Sequence, residues 1–211
     1  MKKSIAILIL LIFAASGLFA QDFSLRAGGG GLFDWSFKNG VENKDKDFYG
    51  MRNLSLGGFL FFDAAYVEID ACFAFGFLTK ESPSKSAERA GSLLQGSASI
   101  LLKYPLDFGR VTFFPLLGAN YNMVFASRDA DAVKLYDSIS DNFKYLNQIG
   151  LLGGAGVDVF LKGSFFLRIE ALYELRFANK VMKDDADAAP DLYTTLGMGP
   201  RVKVGVGYKF K

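Results

Sequence analysis

From Gln21 onward, apolar residues recur at every second position, segment after segment. A period of two belongs to β-strands, whose successive side chains point to opposite faces. In residues 22–38 the odd positions read Phe23, Leu25, Ala27, Gly29, Gly31, Phe33, Trp35 and Phe37. The even positions hold Asp22, Ser24, Arg26, Asp34, Ser36 and Lys38, with Leu32 and two glycines. One face is apolar and aromatic; the other is small, polar and charged.

Seven further segments repeat the pattern. Leu54 to Phe62 carry the second apolar face and Val67 to Phe77 the third, the latter alternating with Glu68, Asp70 and Cys72. The fourth sets Ala98, Ile100 and Leu102 against Ser97, Ser99 and Lys103; the fifth sets Phe113, Leu117 and Tyr121 against Thr112, Asn120 and Asn122. The sixth opposes Ile149, Leu151 and Val157 to Gln148, Gly150 and Asp158. In the seventh, Phe165 to Phe177 alternate with Arg168, Glu170, Glu174 and Arg176; in the eighth, Val202 to Phe210 alternate with Arg201, Lys203 and Lys209. Short connections are expected near Asp63–Ala64, Pro105–Arg110 and Leu161–Ser164, and long polar ones near 39–50, 79–91, 126–146 and 178–192. Short turns on one side and long loops on the other is the layout of a membrane barrel, with the turns periplasmic. Pro115 and Pro200 interrupt this reading, because each removes a ladder donor. Local bulges are the expected accommodation.

The first twenty residues are of another kind. Lys2 and Lys3 precede an unbroken apolar run from Ile5 to Phe13, and small residues follow at Ala14 to Gly17. This is the layout of a signal peptide over 1–20, cut after Ala20 or, alternatively, after Gly17. The run is too short for a comfortable membrane anchor. No cysteine lies near it, which argues against a lipoprotein, and the lone Cys72 has no internal disulfide partner. Residues 21–211 then form one domain. After loss of Lys2 and Lys3 the basic residues equal the 22 acidic ones, which gives no footing for nucleic acid. Later residues contain no stretch long and apolar enough for a spanning helix, so a membrane segment must be β. With 22 Phe, 23 Gly and 9 Tyr, the composition suits a lipid-facing sheet. The predicted fold is all-β: a transmembrane, antiparallel, up-and-down barrel of eight strands. A soluble sandwich or lipocalin-like barrel is the alternative, and it leaves the leader unexplained.

Eight strands enclose a space just wide enough for side chains to fill. The predicted inward set holds Arg26, Lys103, Arg168, Arg176, Arg201 and Lys203 against Asp34, Glu68, Asp70, Asp158, Glu170 and Glu174. Buried charges persist only when paired, so a salt-bridge plug is expected; a proton or ion path is the other reading. Arg168 is expected to pair with Glu170, Glu68 or Asp70. Inward Gly150, Gly154, Gly156, Gly205 and Gly207 would leave room for the long side chains of segment seven. Phe59, Phe61, Tyr66, Phe114, Leu116 and Phe166 form an inward group near the short turns, fit to close that mouth or to hold an apolar ligand.

Catalysis has little support. The chain has no histidine to activate Ser92, Ser97 or Ser99. Asp184, Asp185 and Asp187 suit a hard cation such as calcium, or simply a solvated loop. No zinc spacing or phosphate-cradling loop is present, and no cofactor is implied.

The end of the chain carries a resemblance. Lys203, Gly205, Tyr208 and Phe210 resemble the C-terminal assembly signal of outer-membrane barrels, departing from the commonest form only in the Lys211 that follows. With its architecture, the chain resembles the small outer-membrane barrel superfamily that includes OmpX, OmpW and the OmpA membrane domain. That resemblance implies an outer-membrane location in a diderm bacterium and handling by the barrel-assembly machinery. It implies a structural or surface-recognition role, with host or surface molecules met through the long loops, or else a narrow facilitator. It selects no single function.

Overall fold

The computed structural model describes residues 24–42, 48–82, 85–129, 147–178 and 196–210. The expected signal peptide, Lys211 and the Asp184–Asp187 run lie outside them. The described residues form nine strands: β1 (Leu25–Glu42), β2 (Phe48–Ala64), β3 (Val67–Ser82), β4 (Lys85–Lys103), β5 (Leu106–Phe108), β6 (Val111–Asp129), β7 (Gln148–Phe160), β8 (Phe165–Ala178) and β9 (Leu196–Lys209). Eight are long. The three-residue β5 is a stub paired with the start of β6.

Every long strand is antiparallel to its chain neighbour, and β1 pairs with β9, so the sheet closes. Closure removes the exposed edges that an open sheet presents. A path of directly paired residues leaves β1 at Ala27 and passes Phe62, Ile69, Ile100, Ala119, Leu151, Leu175 and Met198. It returns to β1 at Phe37. That stagger is what tilts the strands of a closed barrel.

The polarity is inside-out. Leu60 is 70% exposed and Leu117 66%, whereas Arg168, Asp158, Glu170 and Lys203 are 0% exposed. Water would drive the first group inward, so the outer face suits lipid. Small outward residues pair directly at mid-height: Gly31 with Gly58, Ala71 with Ala98, and Ala155 with Ala171. Exposed aromatics flank them. Phe108, Phe113, Phe165, Tyr208 and Phe210 lie toward the tight turns, and Trp35, Phe75, Phe77, Tyr121 and Phe177 toward the other end. An apolar band between aromatic girdles is the outer surface of a spanning barrel.

Several expectations change. The connections expected at 39–50 and 79–91 are largely strand: β3 runs to Ser82 and β4 starts at Lys85, with Ser82 opposite Lys85. Alternation fades there because the residues are polar at consecutive positions, yet the backbone ladder continues. The turn expected at Asp63–Ala64 falls at Ala65–Tyr66, which leaves Asp63 inside β2. Gly109 and Gly163, with φ of 74° and 65°, make the β5–β6 and β7–β8 turns in geometry that glycine adopts without steric cost.

The prolines need no bulges. The Pro115 carbonyl accepts from the Tyr104 amide at 3.4 Å, so its ring nitrogen faces the same side. There the β4 ladder has ended at Lys103–Leu116 and β5 pairing has yet to start. The missing donor falls in a seam. Pro200 sits where β1–β9 pairing skips from Arg201–Asp34 to Met198–Phe37 in unchanged register. The observed register shifts lie elsewhere, between Lys38 and Val41, around Thr79, and between Leu94 and Gln95.

Candidate functional site

Inward positions along β8 read Phe166, Arg168, Glu170, Leu172, Glu174 and Arg176, all buried. Leu172 thus separates two sets of charges, one nearer the tight turns and one nearer the opposite end. Each set is completed by strands across the lumen.

Arg168 centres the turn-side set. Its Nε and Nη2 donate to the two oxygens of Asp158 at 2.7 Å each, Nη1 to Glu68 at 2.7 Å, and Nη2 also to Asp63 at 2.7 Å. Glu170 lies 3.7 Å from Nη1. Arg26 donates to Asp158 at 2.7 Å, and Lys103 donates to Asp63. Lys203 donates to Asp70 at 2.5 Å and to Glu170 at 3.0 Å. Such charge-assisted bonds keep buried charges tolerable. The bonds cross the barrel: β8 reaches β2 and β3, and β1 reaches β7.

Aromatic rings pack around these cations. The Arg168 guanidinium lies 4.0 Å from the Phe61 ring centre, 5.1 Å from Phe114 and 5.3 Å from Phe166. Lys103 sits 4.9 Å over Phe114 and Lys203 5.4 Å over Phe59. Desolvated cation–π contacts of this kind contribute about 2 kcal/mol or more. Phe59, Phe61, Phe114, Leu116 and Phe166 are buried, the rings among them pressed on cations. Tyr66 is not in this group: it is only partly buried and stacks on the exposed Tyr104.

The second set is smaller. Arg176 donates to Asp34, to Glu174 at 2.7 Å and to Ser36 at 3.2 Å. Arg201 donates to Asp34 at 3.1 Å and lies 2.8 Å from Glu174. Amides complete the ring: Asn120 and Asn122 both donate to Glu174 Oε1, at 2.5 and 2.7 Å. Leu101, Leu116, Leu152 and Leu172 form a buried cluster with Phe114, and Leu32 packs in a second one with Phe59 and Phe61.

The expected inward charges therefore all lie in the lumen, each in an ion pair. Asp70 faces Lys203 rather than Arg168. Sequence reasoning missed Asp63, which serves both Lys103 and Arg168; its place two residues from Phe61 on the same face was the available signal. It also missed Asn120 and Asn122 as partners of Glu174. Of the expected glycines, Gly150 and Gly156 give room to Glu174 and Glu170, and Gly207 to the Phe166 ring. Gly154 and Gly205 instead permit close approach of neighbouring backbone. Among the described residues no cluster of acidic or cysteine side chains is arranged to hold a metal ion.

The four residues of the C-terminal pattern divide between two surfaces. Lys203 and Gly205 face the lumen, while Tyr208 and Phe210 face outward with ring centres 5.3 Å apart. The Phe210 amide donates to the Leu25 carbonyl at 2.8 Å and ties the end of the chain to β1.

No protein-family model matches the chain, and no curated protein matches it. Solved structures do. OprG, an outer-membrane protein of Pseudomonas aeruginosa, aligns over 89% of this chain and 96% of its own, at 14% identity and a TM-score of 0.53. The likeness is one of fold: a small outer-membrane barrel. Neisserial surface protein A aligns over 89% and 97% at 13% identity, with a TM-score of 0.47. Ail of Yersinia pestis, solved with the heparin analogue sucrose octasulfate, aligns over 90% and 100% at 16% identity, with a TM-score of 0.41.

Proposed function

We propose that this chain is an integral outer-membrane barrel of a diderm bacterium, exported by a signal peptide over 1–20. Its lumen is closed by its own side chains, and its role is structural or surface-recognising, carried by the connections at the end opposite the tight turns. The observation that carries closure is the cross-lumen pairing of Arg168 with Glu68 and Asp63, clasped by Phe61, Phe114 and Phe166. The apolar, aromatic-girdled outer face supports the membrane setting. The missing histidine and the ion pair that each described lumen carboxylate makes favour a non-enzymatic role.

Closure is tested by single-channel recording in planar bilayers, with surface labelling of intact cells to read loop exposure. A silent barrel with labelled loops is the expected result. Large, steady conductance would replace this reading with a narrow facilitator for small or hydrophobic solutes. The reading extends to Lys203, Gly205, Tyr208 and Phe210 as the signal for the barrel-assembly machinery. Phe210→Ala should then lower the fraction inserted in cells and leave more chain in the periplasm; equal insertion would remove the signal from the proposal.

A further inference from the structure

Both charge sets leave buried side-chain atoms without a partner, Arg26 Nε, Asp63 Oδ1, Glu68 Oε1 and Glu170 Oε1 in the turn-side set and Arg176 Nε in the other, but among the described residues only Arg201 leaves two. Arg201 is 2% exposed, and its acid partners take only Nη2. Its Nε and Nη1 have no partner within the protein. Leaving a buried donor unsatisfied costs about 1–3 kcal/mol, more on a charged group, so such atoms point to an occupant.

Arg201 lines a pocket inside the barrel together with Asp34, Gln95, Ser97 and Asn122. It has room for water. A buried water needs two to four polar partners. The lining supplies both kinds. Arg201 offers donors, Asp34 is an acceptor, and the Ser97 hydroxyl is either. A cation would face the guanidinium and an anion the Asp34 carboxylate. Arg176 and Arg201 already balance Asp34 and Glu174, so an ion would add uncompensated charge in a buried place. A neutral occupant able to accept and donate meets every constraint.

We propose that this pocket is a binding site for structural water, which accepts from Arg201 Nε or Nη1 and donates toward Asp34 or Ser97. The water completes the second charge set and holds the guanidinium plane against Asp34 and Glu174. The site stands whether or not the barrel conducts, so bilayer recordings do not bear on it.

The test is a high-resolution crystal structure of the detergent-solubilised mature barrel, collected with and without bromide replacing chloride. A water-sized peak within hydrogen-bonding distance of Arg201 Nε or Nη1, with no anomalous signal there in bromide, is expected. A featureless pocket would overturn the site, and an anomalous bromide peak would make it an anion site instead. In solution, the Arg201 Nε–H should show magnetisation exchange with a long-lived water in detergent micelles. Its absence would also count against the proposal.

Discussion

The two halves of the lumen solve one problem by different means. Around Arg168, charges are buried among rings, and each cation pairs with carboxylates set in place across the barrel. Around Arg176 and Arg201, charges are shared with Asn120, Asn122 and Ser36, and a pocket adjoins them. Neutral amides and hydroxyls reorient at little cost, and water can substitute for a lost partner. Rings cannot take up a hydrogen bond in this way. The turn-side half should therefore be rigid and intolerant, and the other half adaptable.

Substitution at the centres of the two sets tests this most directly. Arg168→Ala strands Glu68 and takes one of two cations from both Asp158 and Asp63, which keep Arg26 and Lys103, and breaking a buried pair costs about 3–5 kcal/mol. Thermal unfolding in detergent should fall sharply, with loss of refolding as the extreme. Arg176→Ala leaves Glu174 with Arg201, Asn120 and Asn122, and its cost should stay near ~1–3 kcal/mol. Equal losses in the two variants would erase the contrast between the halves.

A double-mutant cycle refines it. Removing both Arg168 and Glu68 should damage the barrel less than the two single losses combined, because the second removal deletes a stranded charge. Coupling between residues in one ion-pair network runs to about 0.5–3 kcal/mol. The cycle of Arg176 with Glu174 should give the smaller value. Strictly additive losses at Arg168 and Glu68 would mean that the turn-side lumen is wet.

Glycine substitutions give the next effect. A Cβ on Gly156 would lie 2.3 Å from the Phe114 ring and 3.0 Å from Glu170 Cγ. One on Gly150 would meet the Asn120 amide oxygen at 2.1 Å and Glu174 Oε1 at 2.8 Å. Overpacking costs about 1–3 kcal/mol when neighbours cannot yield. Gly156→Ala should pay close to that range because the ring is wedged against Arg168. Gly150→Ala should cost less, since the Asn120 amide can turn. The reverse order in unfolding temperature would place the rigid half at the other end.

The smallest expected effect is on conduction. Replacing Arg176 and Arg201 together with Ala should still give a quiet barrel, because the buried leucines and the Arg168 set remain. Openings in that variant would show that the loop-side set alone holds the lumen shut.

Much of this was legible before any coordinates. Alternation placed Arg168, Glu170, Glu174 and Arg176 on one face of β8 because a pleated strand has only two faces. The same rule put Leu60 and Phe73 outward and predicted eight segments. It failed at Ser82–Lys85, where neither face is apolar and the alternation vanishes although the ladder goes on. It failed at Pro115 too, because whether a missing donor matters depends on which neighbour lies beside it.

Composition and period two determined by themselves that the sheet has a lipid face and a charged face, since side-chain direction along a strand is local physics. Partner choice was not local. Arg26 and Asp158 are 132 residues apart, and Lys203 and Asp70 are 133 apart. They meet because closure returns the path from Ala27 to Phe37, and that stagger sets the height of every inward residue against those on the far wall. Only the closed tertiary structure decided that Asp63 serves Arg168 and Lys103, and that Arg201, left with two unpartnered donors, lines a pocket.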